Sequence, residues 1–219
     1  MKAGTALSRL ALAVVFLLAG TAAAKAEDLK PIPLMQIRLD TGRPLMHVLK
    51  ERKSARAFSA RMLPKRVLSN LLWAANGVNR SASGGRTAPS ARNQQEIDVF
   101  VATAEGLYLY DAKDHQLQPV LNRDIRALTG FQAYVREAPL NLVFVADFAR
   151  MTGTPPENRD VVAAADTGFI SQNVYLYCAS EGLATVVRSG IDRDALAEAM
   201  KLGPEQRIIL AQSVGYPIK

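Results

Sequence analysis

Three short segments of the chain are polar where folding alone gives no reason for polarity. The first is "ERKSARAF", in which Arg52, Ser54 and Arg56 alternate at the end of a helical pattern, with Lys53 between them. If the chain becomes extended there, alternate residues project to one side, so two guanidiniums and a hydroxyl face the same way. Forked N–H donors with a hydroxyl between them suit a phosphate and the polar chain attached to it. A solvated basic helix terminus, favourable to the helix dipole, is the other reading of the same residues.

The second segment is "GGRTAPSARNQQEIDVFVA", Gly84 to Ala102, a Gly/Ser/Arg loop that runs straight into strand-like alternation. A loop with hardly any large apolar side chain cannot stabilise itself by burial, so something else shapes it. The third is "VVRSG", Val186 to Gly190, at a strand end, where binding residues are often placed. His47 rides on a helix and His115 lies in a polar turn where it is expected to be only solvated; with no clustered partners for either, no metal site is expected. Cys178, the one cysteine, sits in the apolar helical pattern "NVYLYCASEGL" and reads as a small buried hydrophobe rather than a nucleophile.

The elements that must position these segments follow from periodicity. "PLMHVLKERKS" carries Leu45, Val48 and Leu49 at helical spacing behind Pro44 and predicts a helix ending near Ser54. "LPKRVLSNLLWAANG" predicts a second helix from Pro64 to a stop at Gly77, with Trp73 in a core or an interface. "EIDVFVATAEGLYLYDAKDHQLQPV" reads as a β-meander, and "APLNLVFVADFARM" as a strand apolar on both faces in the middle of a sheet. A long helix from Asp160 to about Gly182, rich in small residues at Ala163, Ala164, Ala165, Gly168 and Ala179, points to close helix packing at a subunit interface. A strand at "LATVVRSG", a short helix stopping at Gly203 and a final strand at "QRIILAQSVGYP" complete an α+β layer architecture.

Residues 1–26 read as an export signal, with Lys2 and Arg9 ahead of "LALAVVFLLAG" and small residues before Glu27. The apolar run is about eleven residues, short of the roughly 20 a membrane-spanning helix needs, so no membrane insertion is expected after cleavage. The remainder, 27–219, is expected to form a single domain in the periplasm or outside the cell. Of the formal charge of +7, three cations (Lys2, Arg9, Lys25) lie in the leader with no acids, which leaves +4 on the mature chain. Those cations are scattered and not interleaved with aromatics, so a nucleic-acid role is not expected, while small anionic ligands remain open.

Taken together and in this order, "RKSARAF", "RTAPSARNQQEIDVFV", "DTGFISQNVYLYCASEGLATVV" and "SVGYP" resemble the nitroreductase family of flavoproteins, closest to its thiazoline and oxazoline dehydrogenase branch. The resemblance implies a central, mainly antiparallel sheet flanked by helices, in a homodimer that holds FMN at the subunit interface. It assigns Arg52, Lys53, Ser54 and Arg56 to the FMN phosphate, ribityl chain and pyrimidine edge. It assigns Pro89, Ser90, Ala91 and Asn93 to the isoalloxazine from the partner subunit, and Val187, Arg188, Ser189 and Gly190 to the loop beside the reactive N5. On that reading the opening loop is shaped around a flat ring, which its small residues let the backbone approach. Two departures stand out: Arg92 replaces a residue that is small in many relatives, so that it restricts the substrate space or grips an acidic substrate. Relatives also continue with basic residues past the last "GYP", where this sequence reaches Lys219.

The activity implied is FMN-dependent oxidoreduction of a small organic substrate by a ping-pong cycle, the flavin carrying the chemistry and no protein side chain acting as a catalytic acid or base. An exported enzyme meets little NAD(P)H, which favours substrate oxidation over nitro reduction. The absence of a twin-arginine pair in the leader fits export of the unfolded chain and loading of FMN outside. The alternative is an exported dimeric module that binds flavin or a related ligand without turnover.

Overall fold

Strand β7 (Leu140–Asp147) is buried over all but its last residue, and the two layers of the fold form on its two faces. Leu140, Leu142, Phe144 and Ala146 join one apolar cluster; Val143 and Val145 join another. This is why the segment is apolar without alternation. The structure, a computed structural model, describes residues 29–218, so the proposed leader at 1–26 lies outside the described residues.

Around β7 the sheet has seven strands, in the order β1 (Ile32–Pro33), β6 (Gln116–Leu121), β5 (Leu107–Asp111), β4 (Ile97–Ala102), β7, β9 (Gln206–Gly215) and β8 (Ala184–Arg188). Every pairing among these strands is antiparallel. The meander expected at 97–121 is β4, β5 and β6. On one face pack α2 (Lys65–Asn76) and α4 (Arg159–Glu181), through Leu71, Leu72, Ala75, Ile170 and Val174. Truncating a fully buried leucine such as Leu71 or Leu72 to alanine is expected to cost about 3 kcal/mol. On the other face α5 (Arg193–Met200) contributes Leu196 and Met200.

Helix α2 begins directly after Pro64 and is capped by Gly77, as its sequence predicts. The reason for the glycine is close approach, because its backbone is extended and a Cβ there would lie 2.4 Å from Trp73 Cδ1. Gly182, by contrast, ends α4 in the left-handed conformation at φ +69°, where a side chain would be strained.

Helix α1 (Leu45–Glu51) stops earlier than its periodicity predicts: Arg52 already has ψ 123°, and the chain from there through Ala57 is neither helix nor strand. The cause is tertiary. Strand β8 lies at the sheet edge, and its Thr185 carbonyl accepts the Ala55 N–H at 2.9 Å, a bond that continued helix would forgo. Two further elements had no periodic signal: a short hairpin of β2 (Val78–Arg80) and β3 (Gly85–Arg86), and the four-residue helix α3 (Tyr134–Glu137). His115 differs from expectation as well. It is half-buried, with Nε2 3.1 Å from the Met35 carbonyl and Nδ1 3.0 Å from the Tyr110 hydroxyl, so it ties the β5–β6 turn to the segment after β1. Burial lowers its basicity, against the bond to Met35.

Candidate functional site

The strap that follows α1 crosses the free edge of β8 and the end of β9. It is fixed by the Ala55 bond to Thr185, by Ser59 N–H to the Tyr216 carbonyl at 2.8 Å, and by a bridge between Phe58 and Pro217. Tyr175 of α4 rises beneath it. The Tyr175 hydroxyl lies 2.8 Å from Ser54 Oγ and accepts the Val187 N–H at 3.0 Å, while the Arg52 guanidinium stacks over the ring, 5.2 Å from its centre. A cavity of about 210 Å³ opens here, lined in part by Lys53, Ala55, Tyr175 and Thr185 and, at one side, by the Arg43–Glu51 pair.

This corner is basic and uncompensated. Among the described residues no carboxylate pairs with Arg52, Lys53 or Arg56, and the acid nearest in sequence, Glu51, is held by Arg43 at 2.6 Å. Lys53, Ser54 and Arg56 are exposed and Arg52 is half-buried. Arg52 and Arg56, two residues to either side of Ser54, and Lys53 between them supply cations that no described carboxylate neutralises, which suits an external anion.

The Pro89–Asn93 loop is built differently. Arg92, Asn93 and Gln95 all have left-handed backbones, at φ 55°, 54° and 50°. Such conformations cost side-chain-bearing residues about 1–2 kcal/mol each and persist only where the surroundings over-determine them. Here Ala91 N–H donates to Asp166 Oδ2 at 2.9 Å, Ser90 Oγ donates to Glu96 Oε2 at 3.2 Å, and Gln95 N–H donates to Ser90 Oγ at 2.8 Å. Gln94 reaches Thr154 Oγ1 at 2.8 Å. Pro89 and Asn93 are exposed, and Ser90 and Ala91 half-buried. The Arg92 guanidinium donates to the Gly153 carbonyl, so it is engaged by the neighbouring turn instead of standing free for an acidic substrate.

In the third segment the side chains diverge. Val187 shares the α4 face with Tyr175, Ser189 is exposed, and the Gly190 carbonyl accepts the Phe131 N–H at 3.2 Å. Arg188 points to the opposite face of the sheet and is buried. Its guanidinium donates to the Thr129 carbonyl at 3.2 Å, to Thr129 Oγ1 at 2.8 Å, to Asn141 Oδ1 at 3.0 Å and to Ser213 Oγ at 2.8 Å. Burial pushes its pKa down to about 10, so it stays charged at neutral pH, solvated by protein oxygens. Whatever this segment presents to a ligand therefore comes from its backbone, Val187 and Ser189, with the Arg188 side chain serving the fold.

Tyr175 thus joins the first segment to the third. The second stands apart: Asp166, which anchors it, is nine residues before Tyr175 on α4, about 14 Å along the axis and half a turn away in direction. Tyr175, Glu96 and Asp166 were not singled out in the sequence, where a tyrosine and an acid in helical apolar runs carry no distinguishing pattern. Cys178 is fully buried, and burial drives its thiol well above the ordinary range, which leaves it unreactive. The described residues contain no group of three or more potential metal-binding side chains, and no helix long and apolar enough to cross a membrane.

The model of the nitroreductase family matches residues 49–216. The chain belongs to the nitroreductase family. A crystal structure of a protein assigned to the nitroreductases in Ralstonia eutropha JMP134 is 47% identical, with a TM-score of 0.83 over 86% of this chain and 90% of that one. A protein so assigned in Methanocaldococcus jannaschii is 29% identical over 185 residues, 80% of this chain and 92% of its own. The NADPH:FMN oxidoreductase of Vibrio harveyi, solved with NAD+, shares the fold at 21% identity and a TM-score of 0.58, over 80% of this chain and 69% of that one. Nitroreductase-family proteins are in general flavin-dependent oxidoreductases, and the basic strap of this nitroreductase lies inside the matched region.

Proposed function

We propose that this nitroreductase-family chain is an FMN-dependent oxidoreductase that works as a homodimer outside the cytoplasm and acts on a small organic substrate. The observation that carries the proposal is the strap: Arg52, Lys53 and Arg56 follow one another along it with Ser54 among them, and no carboxylate among the described residues pairs with any of the three. That donor set fits a phosphomonoester attached to a polyol. Arg52 and Lys53 would hold the phosphate, Ser54 the phosphate or ribityl end, and Arg56 the pyrimidine edge. FMN, when bound, supplies the transfer of electrons or hydride between a donor and an acceptor that bind in turn.

The chain's own residues position and tune. A cation at the pyrimidine edge favours the negative charge that reduction brings, which is the role of Arg56. The backbone around Val187–Gly190 flanks the ring, its course fixed by Tyr175 on one side of the sheet and by Arg188 on the other. The strained loop with Pro89, Ser90, Ala91 and Asn93 reaches the flavin of the partner subunit, consistent with its place half a turn around α4 from the strap. Support for the dimer comes from the outward stripe of α4, where Val161, Ala164, Ala165, Gly168 and Phe169 are exposed, Val161 at 71%. A helix face of this composition is suited to close packing against a second copy.

We read residues 1–26 as an export signal; an enzyme so exported would work away from the main supply of NAD(P)H, and substrate oxidation is therefore the direction we assign. Turnover is tested by anaerobic reduction of the FMN-loaded protein followed by rapid mixing with a quinone or nitroaromatic acceptor. Reoxidation that saturates with acceptor concentration supports an enzyme with a substrate site. Reoxidation that stays linear in acceptor and no faster than that of free reduced FMN identifies a flavin-holding module without turnover.

A further inference from the structure

The Tyr175 hydroxyl has two partners among the described residues, and only one of them can accept a proton. Val187 N–H is a donor, so it occupies a lone pair of the phenol oxygen at 3.0 Å. Ser54 Oγ, at 2.8 Å, is the remaining neighbour and the one acceptor that the described residues offer the phenol proton, although the geometry lets either hydroxyl donate. A serine hydroxyl that accepts in this way has its own proton free for another acceptor. Tyr175 is 7% exposed, whereas Ser54 is on the surface beside Arg52 and Arg56, so that proton points out of the protein.

We propose that Tyr175 is a positioning residue that fixes the polarity of Ser54, turning its O–H outward as a donor to the FMN phosphate while the same aromatic ring carries the Arg52 guanidinium. The inference rests on the assignment of the strap to the phosphate. Its physical content is a donor chain: the backbone N–H of the edge strand β8 donates to the phenol, the phenol to the serine, and the serine to the anion. Each bond polarises the next, so the outermost O–H becomes a stronger donor than an isolated serine. The arrangement also uses the Val187 N–H, which lies beyond the reach of the strap's own backbone bond at Thr185. Tyr175 touches the ligand through none of these bonds; it acts through Ser54 and Arg52.

The test compares FMN with riboflavin, which lacks the phosphate, by fluorescence titration of the chain from residue 27 onward and its Tyr175→Phe, Ser54→Ala and doubly substituted variants. Wild type is expected to prefer FMN to riboflavin. Tyr175→Phe, which keeps the ring beneath Arg52, is expected to weaken FMN binding about ten-fold and to change riboflavin binding less than two-fold. The double variant is expected to bind FMN no more than about two-fold more weakly than Ser54→Ala, because the two residues act in series. Site-specific 3-fluorotyrosine at position 175, a stronger donor of nearly the same size, is expected to tighten FMN binding selectively, and it carries the test if the phenylalanine variant does not fold.

Equal loss of FMN and riboflavin, full additivity of the two substitutions, or no effect of either change at position 175 overturns the assignment of Tyr175. A wild-type protein that binds both flavins but does not distinguish them overturns the phosphate reading itself, and the inference with it.

Discussion

The carboxyl of Glu96, fully buried at the root of the Pro89–Asn93 loop, lies beside the carboxyl of Asp166 on α4, and neither forms a salt bridge among the described residues. Burial pushes the Glu96 carboxyl above its ordinary range. The bond from its own backbone N–H opposes this, and the neighbouring Asp166 charge and hydrogen bond add to it. Glu96 Oε1 has no hydrogen-bond partner in the structure, and a proton retained on Glu96 would let the carboxyl donate to Asp166. Asp166 accepts Ala91 N–H and Glu96 Oε2 accepts Ser90 O–H, so the two carboxyls, with such a proton between them, would hold the loop from beneath.

Stability of the fold should reflect that proton. Because the folded-state value of Glu96 is raised, its contribution is fully present at and below the ordinary carboxylate pKa and is lost as pH rises through the raised value. Glu96→Gln keeps a permanent donor in place and removes this dependence. The denaturation midpoint of Glu96→Gln relative to wild type is expected to increase as pH rises above the ordinary carboxylate range, other groups cancelling in the comparison. A difference that is flat or falls with pH contradicts a retained proton.

Arg188 is expected to behave as a residue of the fold. Arg188→Met removes four hydrogen bonds and leaves Thr129, Asn141 and Ser213 facing an apolar chain, for an expected loss of about 3 kcal/mol in urea unfolding. Arg188→Lys should recover little of it, since an ammonium cannot span the same acceptors as the planar fork. Wild-type stability in Arg188→Met, with FMN binding abolished, would instead put this guanidinium at the ligand.

Removing the cation assigned to the pyrimidine edge is expected to act on affinity and potential together. Arg56→Ala should weaken FMN binding and shift the two-electron potential of the bound flavin negative by about 30 mV, the equivalent of roughly 1.4 kcal/mol. An unchanged potential in redox titrations of the loaded variant removes Arg56 from that role.

A charge in the outward stripe of α4 tests the dimer. Phe169→Asp, at a side chain 47% exposed in the single chain, is expected to convert a dimer to monomer in sedimentation equilibrium and to weaken FMN about ten-fold or more, because the loop of the partner is lost with it. A wild-type protein that is monomeric and binds FMN tightly would refute the shared site.

What could be read before the structure, and what could not, follows from the range of the interactions. The helix at 65–76 and the buried strand at 140–147 were legible because proline, glycine and apolar periodicity are local signals. The early end of α1 was not, since it depends on Thr185, a residue far along the chain that captures the Ala55 N–H. Arg188 looked like a loop cation beside a ligand; only the alternation of β8 against Thr129, Asn141 and Ser213 shows where its side chain goes. Tyr175 carried no signal at all, because one tyrosine in "NVYLYCASEGL" resembles any aromatic in a buried helix until β8 and the strap are placed around it.

The reading of the basic strap as a flavin phosphate site is tested most directly by the absorbance spectrum of the purified chain from residue 27 onward after incubation with FMN and removal of excess, with the released chromophore identified and counted. A yellow dimer that yields one FMN per subunit, and loses it when Arg52 and Ser54 are both replaced by alanine, is the expected result. A colourless, folded protein after the same treatment would contradict it.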